Sequence, residues 1–332
     1  MESKGQSPQS VHPFETIGEL EQLDPAFESL VDPQAKIEVL AKGFDWSEGP
    51  LWIGEGGFLV FSDVPQNVIY KWKEGEGLSE YLRPSGYTGS TPRGGEMGSN
   101  GLALDREGKL LLCQHGDLRV ARMLAPVTQP AARYATVAGG YEGKHFNSPN
   151  DLVCHSSGSI YFTDPPYGRE HGAFDDPSRD LDFQGVFRAD PDGRVTLLTK
   201  ELRAPNGIAL SPGEKILYVG QSWSEKMIWM AYPLKADGSL EEGRVLHDAT
   251  ERAKQHAGSA DGMKVDAKGN LFATGPGGVM VISPEGKHLG TIRTGERISN
   301  CAFGDDGRTL YMTSDGLLCR IKVKTLGLGF GP

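Results

Sequence analysis

The stretch that decides the fold runs from Ser47 to Asp63 and has the sequence SEGPLWIGEGGFLVFSD. A polar side chain and a small residue lead into an apolar strand, which a glycine-rich turn joins to a second strand. The same arrangement returns five times, with a polar residue in the place of Glu48 each time. The later stretches are SNGLALDREGKLLLCQH (99–115), PNDLVCHSSGSIYFTD (149–164), PNGIALSPGEKILYVGQS (205–222), ADGMKVDAKGNLFATG (260–275) and SNCAFGDDGRTLYMTSD (299–315). Successive leading polar residues are 39 to 56 residues apart. Repeats of this length that contain several strands are typical of β-propellers.

Each repeat has room for four antiparallel strands, so six repeats predict an all-β, six-bladed β-propeller with four-stranded blades. The second repeat illustrates the assignment, with strands predicted at 101–105, 109–114, 118–124 and 133–138. The first two strands of the later repeats are joined by segments such as DREG, SPGE and DAKG. Asp, Ser or Pro opens such a turn, and Gly supplies a positive φ near its end.

The sixth repeat is incomplete, and this predicts how the ring of blades closes. Strands are expected at 301–304, 309–314 and 317–323, after which too few residues remain for a fourth strand. The strand-like segment 36–41 (KIEVLA) precedes the first repeat, and we expect it to complete the last blade and remove an exposed sheet edge. The domain organisation is therefore an N-terminal extension at 1–35, a propeller at 36–323 and a C-terminal tail at 324–332. Within the extension, FETIGELEQL (14–23) is expected to form a short helix.

The composition excludes several classes of function. The chain has 332 residues, with 34 Lys and Arg against 44 Asp and Glu, and a net charge of -10. Phosphate backbones and anionic lipids repel such a chain, so no nucleic-acid or membrane partner is expected. No apolar run approaches the roughly 20 residues of a membrane span. We expect a soluble protein, either cytoplasmic or, if a signal peptide has been removed, periplasmic or secreted; the sequence leaves the oligomeric state open.

The register of the repeats predicts a ring of polar side chains in the central channel. The first strand of every propeller blade lines the channel, so the six residues that lead the repeats should meet at one end of it. These residues are Glu48, Asn100, Asn150, Asn206, Asp261 and Asn300. Two carboxylates and four carboxamides on one axis need a compensating charge. Oxygen donors favour a hard cation, and the wide ring favours Ca²⁺, with Mg²⁺, Mn²⁺ or Zn²⁺ as alternatives.

A second polar layer is expected where the second strands return to the same end of the channel. His115 is one member, and we consider it a candidate catalytic residue, with a structural hydrogen-bonding role as the alternative. Asp164 and Ser222 are further members that could contact the substrate or orient the ring. The loops at 84–99, which contains Glu96, and 168–184 are long enough to cover the mouth.

Several motifs resemble the gluconolactonase family, also called the senescence-marker-protein-30 and luciferin-regenerating-enzyme-like family. They are SEGPLW, NSPNDLV, FTDPPYG, APNGIALS and ADGMKVD, and the resemblance extends over about 36–323. It implies a six-bladed propeller with one divalent cation, and it implies that Glu48, Asn150, Asn206 and Asp261 are the ligands. Asn100 and Asn300 match no ligand position and are expected to neighbour the ligands or to face substrate. The animal members have a substrate-contacting Arg two residues before the first ligand Asn, where this chain has Ser148.

The resemblance implies that the chain hydrolyses a sugar lactone, with glucono-1,5-lactone as the first candidate substrate. The cation would act as a Lewis acid, and Asp261 is the candidate general base for the attacking water. Hydrolysis of phosphotriesters or other esters at the same metal is an alternative. A non-catalytic propeller with a structural ion and a quinone-dependent sugar dehydrogenase are alternatives from other classes. The chain has no GxSxG motif, so it lacks the nucleophile motif of a serine hydrolase.

Overall fold

The computed structural model describes residues 7–169 and 174–331. These residues form six antiparallel sheets, each with four or five strands, and confirm the six-bladed propeller. The first three blades follow the chain in order. Blade 1 consists of β4 (Ser47–Ile53), β5 (Phe58–Asp63), β6 (Val68–Lys73) and β7 (Gly77–Leu82). Blade 2 consists of β8 (Ser99–Leu104), β9 (Leu110–Gln114), β10 (Arg119–Met123) and β11 (Tyr134–Ala138). Blade 3 consists of β12 (Leu152–Cys154), β13 (Ile160–Asp164), β14 (Gly185–Ala189) and β15 (Val195–Thr199).

The last three blades include all strands of the N-terminal region. Blade 4 consists of β16 (Pro205–Leu210), β17 (Ile216–Gln221), β18 (Ile228–Pro233) and β19 (Arg244–Asp248), and the short helix α1 (Thr250–Ala253) follows it. Blade 5 consists of β20 (Met263–Val265), β21 (Leu271–Gly275), β22 (Gly278–Ile282), β23 (His288–Arg293) and β2 (Glu19–Gln22). Blade 6 consists of β24 (Ile298–Gly304), β25 (Thr309–Ser314), β26 (Leu317–Lys322), β3 (Ile37–Lys42) and β1 (Gln9–Ile17).

The ring of blades closes as predicted. Strand β3 lies beside β26, with Leu317 opposite Lys42 and Arg320 opposite Glu38. The N-terminal segment therefore supplies the fourth strand of the last blade, and the two ends of the propeller are joined by backbone hydrogen bonds.

The predicted helix at 14–23 is wrong. This segment spans the end of β1 and all of β2, which are fifth strands on blades 6 and 5. Strand β1 pairs with β3 and β2 pairs with β23, and Gly18, at φ 71°, joins the two strands. The free edges of two blades offer hydrogen-bond partners to an extended chain, and this tertiary pairing outweighs the helix propensity of ELEQ. A 3-10 helix follows at Pro25–Ser29.

The turns and the core explain why each repeat folds alike. In the β8–β9 turn, Asp105 Oδ1 accepts hydrogen bonds from the backbone N–H groups of Glu107 and Lys109, and Gly108 has a positive φ of 72°. The apolar side chains of the described residues form six buried clusters between neighbouring blades, such as Trp229 with Met263 between blades 4 and 5. No helix in the described part of the chain has the length and apolar character needed to cross a membrane.

Candidate active site

A cavity of about 250 Å³ opens at one end of the central channel. Five of the six ring residues predicted from the sequence line it, and the sixth, Asn300, is buried beside Glu48. The lining comprises Trp46, Glu48, Glu96, Asn100, Asn150, Tyr167, Asn206, Ser222, Gly258, Ser259, Asp261, Arg297 and Ile298. The repeats therefore bring side chains from distant parts of the chain into one polar pocket.

Hydrogen bonds between neighbouring blades connect the ring residues. Asn100 Nδ2 donates to Asn150 Oδ1 at 3.3 Å, and Asn150 Nδ2 donates to Asn206 Oδ1 at 2.6 Å. On the other side, Asn300 Nδ2 donates to Glu48 Oε2 at 3.2 Å. The carboxamide groups thus hold one another in place, and most of their oxygen atoms accept hydrogen bonds within the ring region.

The glycine that follows most ring residues is required by the packing of adjacent blades. A Cβ atom on Gly49 would lie 2.1 Å from the carbonyl oxygen of Asn100, and one on Gly207 would lie 2.0 Å from that of Asp261. At these positions the backbone packs against the next blade at a distance that only glycine permits.

Two carboxylates, one buried on Glu48 and one half-buried on Asp261, give the cavity its electrostatic character. Burial raises the pKa of Glu48 to about 8, although the Gly49 N–H donates to its Oε2 at 2.8 Å. Burial, together with the negative charge of Glu48, holds the pKa of Asp261 well above its ordinary value. In the absence of a cation, the folded protein therefore disfavours the ionised form of both groups.

These residues fit a hard divalent cation. The donors are carboxylate and carboxamide oxygens, and Asn100 Oδ1 is buried without a hydrogen-bond partner among the described residues. A positive charge between Glu48 and Asp261 would offset the cost of ionising both groups. Within 7–169 and 174–331, no three His, Cys, Asp or Glu side chains converge as a metal site, so the carboxamides would have to supply the remaining ligands.

Asp164 holds the loop that leads to Asn150 and does not line the cavity. Its carboxylate accepts hydrogen bonds from the backbone N–H groups of Asn147 and Ser148 at 2.9 and 2.8 Å. Burial raises its pKa to about 7, while these hydrogen bonds oppose the rise. Asp63 has the same role in blade 1, where it accepts from the N–H groups of Asp45 and Trp46 ahead of Glu48.

Ser222 reaches the cavity and links a ring residue to an aromatic side chain. Its hydroxyl accepts from Asn206 Nδ2 at 3.3 Å and lies 2.8 Å from the hydroxyl of Tyr167. Tyr167 belongs to the loop after β13, and residues 170–173 of that predicted lid lie outside the described residues.

His115 is fully buried and lies behind the cavity wall. Its Nδ1 is 3.5 Å from Oε2 of Glu96, which does line the cavity. The structure therefore places Glu96 between His115 and any molecule in the cavity.

Sequence reasoning missed several residues of this region. Asp151 is buried in the place where most repeats have glycine; burial raises its pKa, and the positive charge of Lys264 opposes this. The break in the Asn-Gly pattern could have indicated it. Trp46 and Arg297 line the cavity without any periodic pattern. Ser148, which stands where the animal relatives have Arg, donates to the Pro165 carbonyl at 2.6 Å and accepts from Gly168 N–H.

Comparisons with known proteins identify relatives of this chain. The family model described as "SMP-30/Gluconolactonase/LRE-like region" matches residues 46–316. The gluconolactonase of Zymomonas mobilis subsp. mobilis is 40% identical over 319 residues, which cover 94% of this chain and 88% of that protein. A solved gluconolactonase of Xanthomonas campestris is 28% identical with a TM-score of 0.79, over 95% of this chain and 99% of that chain.

A more distant structure shares the fold. Regucalcin of Agrobacterium tumefaciens, a calcium-binding protein, is 19% identical with a TM-score of 0.64, over 87% of this chain and 93% of that chain. The family match covers most of the propeller, including all six ring positions from Glu48 to Asn300. The chain therefore belongs to the SMP-30/gluconolactonase/LRE-like family.

Proposed function

We propose that the chain hydrolyses a sugar lactone of the glucono-1,5-lactone type to the aldonic acid in the channel cavity. The observation that carries this proposal is the convergence of Glu48, Asp261 and three asparagines on one polar cavity of about 250 Å³. This volume suits a monosaccharide-sized ligand, and its oxygen-rich wall suits a molecule with many hydroxyl groups.

The relatives support the same class of reaction. The chain is a lactone-hydrolysing enzyme, a hydrolase of carboxylic ester bonds, because it is 40% identical to a gluconolactonase over 94% of its length. A 6-deoxy-6-sulfogluconolactonase of Pseudomonas putida is 29% identical over 182 residues, which supports an aldonolactone as the substrate.

Glu48, Asn150, Asn206 and Asp261 are the residues that we propose to hold a divalent cation, with Ca²⁺ as the favoured ion. A cation bound there would polarise the lactone carbonyl and stabilise the negative charge that develops on its oxygen. The proposal rests on the all-oxygen donor set and on the two carboxylates, whose ionisation burial opposes.

Asp261 is the proposed general base. It is partly exposed to the cavity, whereas Glu48 is buried and accepts hydrogen bonds from Gly49 and Asn300. Asp261 would accept a proton from the attacking water as the water oxygen bonds to the carbonyl carbon. The carbonyl then re-forms as the ring C–O bond breaks, and the ring oxygen takes the proton that Asp261 accepted and leaves as an alcohol.

Proton release in a pH-stat tests the proposal. Purified protein should hydrolyse glucono-1,5-lactone faster than the spontaneous reaction, lose this activity in excess EDTA and regain it with added Ca²⁺. Mg²⁺, Mn²⁺ and Zn²⁺, added separately, would rank the metals. Rates that stay at the spontaneous level for a panel of aldonolactones with every metal would refute the proposal.

A further inference from the structure

Glu96 is a third carboxylate of the cavity, and it does not belong to the ring. It lies in the loop before β8 and lines the cavity with a side chain that is 28% exposed. Its negative charge contributes to the raised pKa of both Glu48 and Asp261, so it lies near both groups. Glu96, Glu48 and Asp261 all line this one cavity.

The buried imidazole of His115 lies next to this carboxylate. Neither ring nitrogen of His115 has a hydrogen-bond partner among the described residues, and Nδ1 lies 3.5 Å from Glu96 Oε2. Gly168 packs so closely on the ring that a Cβ atom there would lie 2.4 Å from it. A buried N–H without an acceptor is costly, and a movement of about 0.5 Å would bring Glu96 within hydrogen-bond distance.

The loop that carries Glu96 is attached to three blades. Asn67 Oδ1 accepts from the N–H groups of Gly86 and Tyr87 at 2.7 and 3.1 Å, which fixes the start of the loop to blade 1. Arg93 donates to the carbonyl of Gly116 at 3.0 Å and to that of Gly168 at 2.6 Å. Glu96 is therefore presented on an anchored loop.

We propose that Glu96 recognises the hydroxyl groups of a polyhydroxylated lactone and that His115 positions it. This inference rests on the proposed lactone hydrolysis. An ionised carboxylate can only accept hydrogen bonds, and its two oxygens match a pair of neighbouring hydroxyl donors. A site that hydrogen-bonds substrate hydroxyls discriminates strongly against analogues that lack them.

The test compares cyclic ligands of the same ring size with and without hydroxyl groups. Glucono-1,5-lactone and δ-valerolactone are the substrates, and the corresponding lactams, which resist hydrolysis, are the binding probes. Glu96→Gln should lower kcat/KM for gluconolactone about 10- to 100-fold, mainly through KM, and weaken gluconolactam binding by a similar factor, as expected for charge-assisted hydrogen bonds. For δ-valerolactone, kcat/KM should change by no more than about twofold, and the same limit should hold for binding of δ-valerolactam. Glu55→Gln, in the exposed β4–β5 turn, is the matched control.

The lactam measurement by calorimetry separates this inference from the proposed function. If gluconolactam binding depends on Glu96 but the protein hydrolyses no lactone, the inference is supported. Only the proposed function is then refuted. Gluconolactam binding that is unchanged in Glu96→Gln would overturn the inference even with an active lactonase. An equal loss for hydroxylated and unhydroxylated ligands would also overturn it, because Glu96 would then act on the reacting ester or on the fold.

A double-mutant cycle tests the role of His115. His115→Leu should weaken gluconolactam binding and should add little in the Glu96→Gln background, since both changes remove one interaction. His115→Gln, whose amide can still donate to Glu96, should retain part of the binding and serves if the leucine variant does not fold. Losses that add fully in the double variant would overturn the positioning role.

Discussion

Glu48 and Asp261 have the same place in their repeats but different surroundings. Glu48 is buried and accepts hydrogen bonds from Gly49 and Asn300, whereas Asp261 retains access to the cavity. Glu48 comes from blade 1 and Asp261 from blade 5, two blades apart in the closed ring. In the proposed mechanism, the two carboxylates would approach one cation from different sides, and Asp261 would contact the attacking water.

The two ring carboxylates should respond differently to substitution. Glu48→Gln keeps an oxygen donor and removes a charge, so its main effect should be weaker Ca²⁺ binding, with activity partly restored by excess Ca²⁺. Asp261→Asn should lose about 10²–10⁴-fold in kcat, the usual contribution of a general base, and excess Ca²⁺ should not restore it. The measurement is kcat at saturating lactone across a Ca²⁺ titration. Full rescue of Asp261→Asn by metal would show that Asp261 is a ligand only.

Arg320 connects the closing strand to its neighbours and gives a stability prediction. Its guanidinium pairs with Glu38 at 2.7 Å and with Glu74, and lies 4.9 Å from the ring centre of Phe14. Arg320→Ala should lower the free energy of unfolding by about 2 kcal/mol, because a largely buried cation with two carboxylate partners is lost. Urea unfolding measures this. Lys322→Ala, which removes an exposed charge on the same strand, is the control and should change less than about 0.5 kcal/mol. An equal loss of unfolding free energy in the two variants would contradict the stabilising role of the Arg320 ion pairs.

At the scale of elements, the N-terminal strands cover sheet edges. Strand β3 completes blade 6, β1 then pairs with β3, and β2 pairs with β23 of blade 5. The apolar residues Phe27 and Val31 follow and are buried in the cluster that blades 5 and 6 share. The extension is therefore part of the folded propeller, and its removal should have graded effects.

Two deletions separate edge covering from ring closure. Removal of 1–18 takes away β1, so the protein should fold and hydrolyse lactone with a lower Tm and a greater tendency to self-associate. Removal of 1–42 also takes away β2, the buried Phe27 and Val31, and β3. It should give aggregated protein, because blade 6 then has three strands. Light scattering and thermal melts distinguish these outcomes. A soluble 1–42 deletion with the Tm of the full chain would refute the closure role of β3.

At the scale of the whole molecule, the polar ring is where all six blades meet, so its charge state affects global stability. The pKa values of Glu48 and Asp261 are raised in the folded state without metal. Between pH 4.5 and about 8, the metal-free folded protein holds protons that the unfolded chain has released, so its stability falls as pH rises. A cation at the ring would favour the ionised carboxylates, and its contribution should therefore increase over the same range.

Ca²⁺ should accordingly raise the Tm more at pH 8 than at pH 5.5. At 100 times the Kd, binding contributes about 2.7 kcal/mol, which corresponds to roughly 4 °C for a domain of this size. The experiment is a set of melts of EDTA-treated protein with and without Ca²⁺ at each pH. Glu48→Gln is the control and should show a smaller difference between the two pH values. If Ca²⁺ raises the Tm equally at pH 5.5 and pH 8, the proposed binding of the cation by these carboxylates is contradicted.

The fold and the ring of polar residues could be predicted from the amino-acid sequence, because both follow from a pattern that recurs in every repeat. A propeller blade is a local meander of strands, so the strand pattern, the turn residues and the leading polar residue recur at each repeat. The register then places Glu48, Asn100, Asn150, Asn206 and Asp261 around one cavity without any knowledge of long-range contacts. The incomplete sixth repeat likewise predicted the pairing of β3 with β26.

The features that depend on contacts between repeats could not be predicted from the repeat pattern. The segment 14–23 forms strands because it pairs with the edges of blades 5 and 6. The amino-acid composition of the segment does not indicate this pairing. Glu96 reaches the cavity on an irregular loop, and His115 lies behind it, because the packing of three blades fixes that loop. Repeated positions are determined locally by periodic pattern and turn chemistry, whereas loops and added strands take their conformation from whatever surface they pack against.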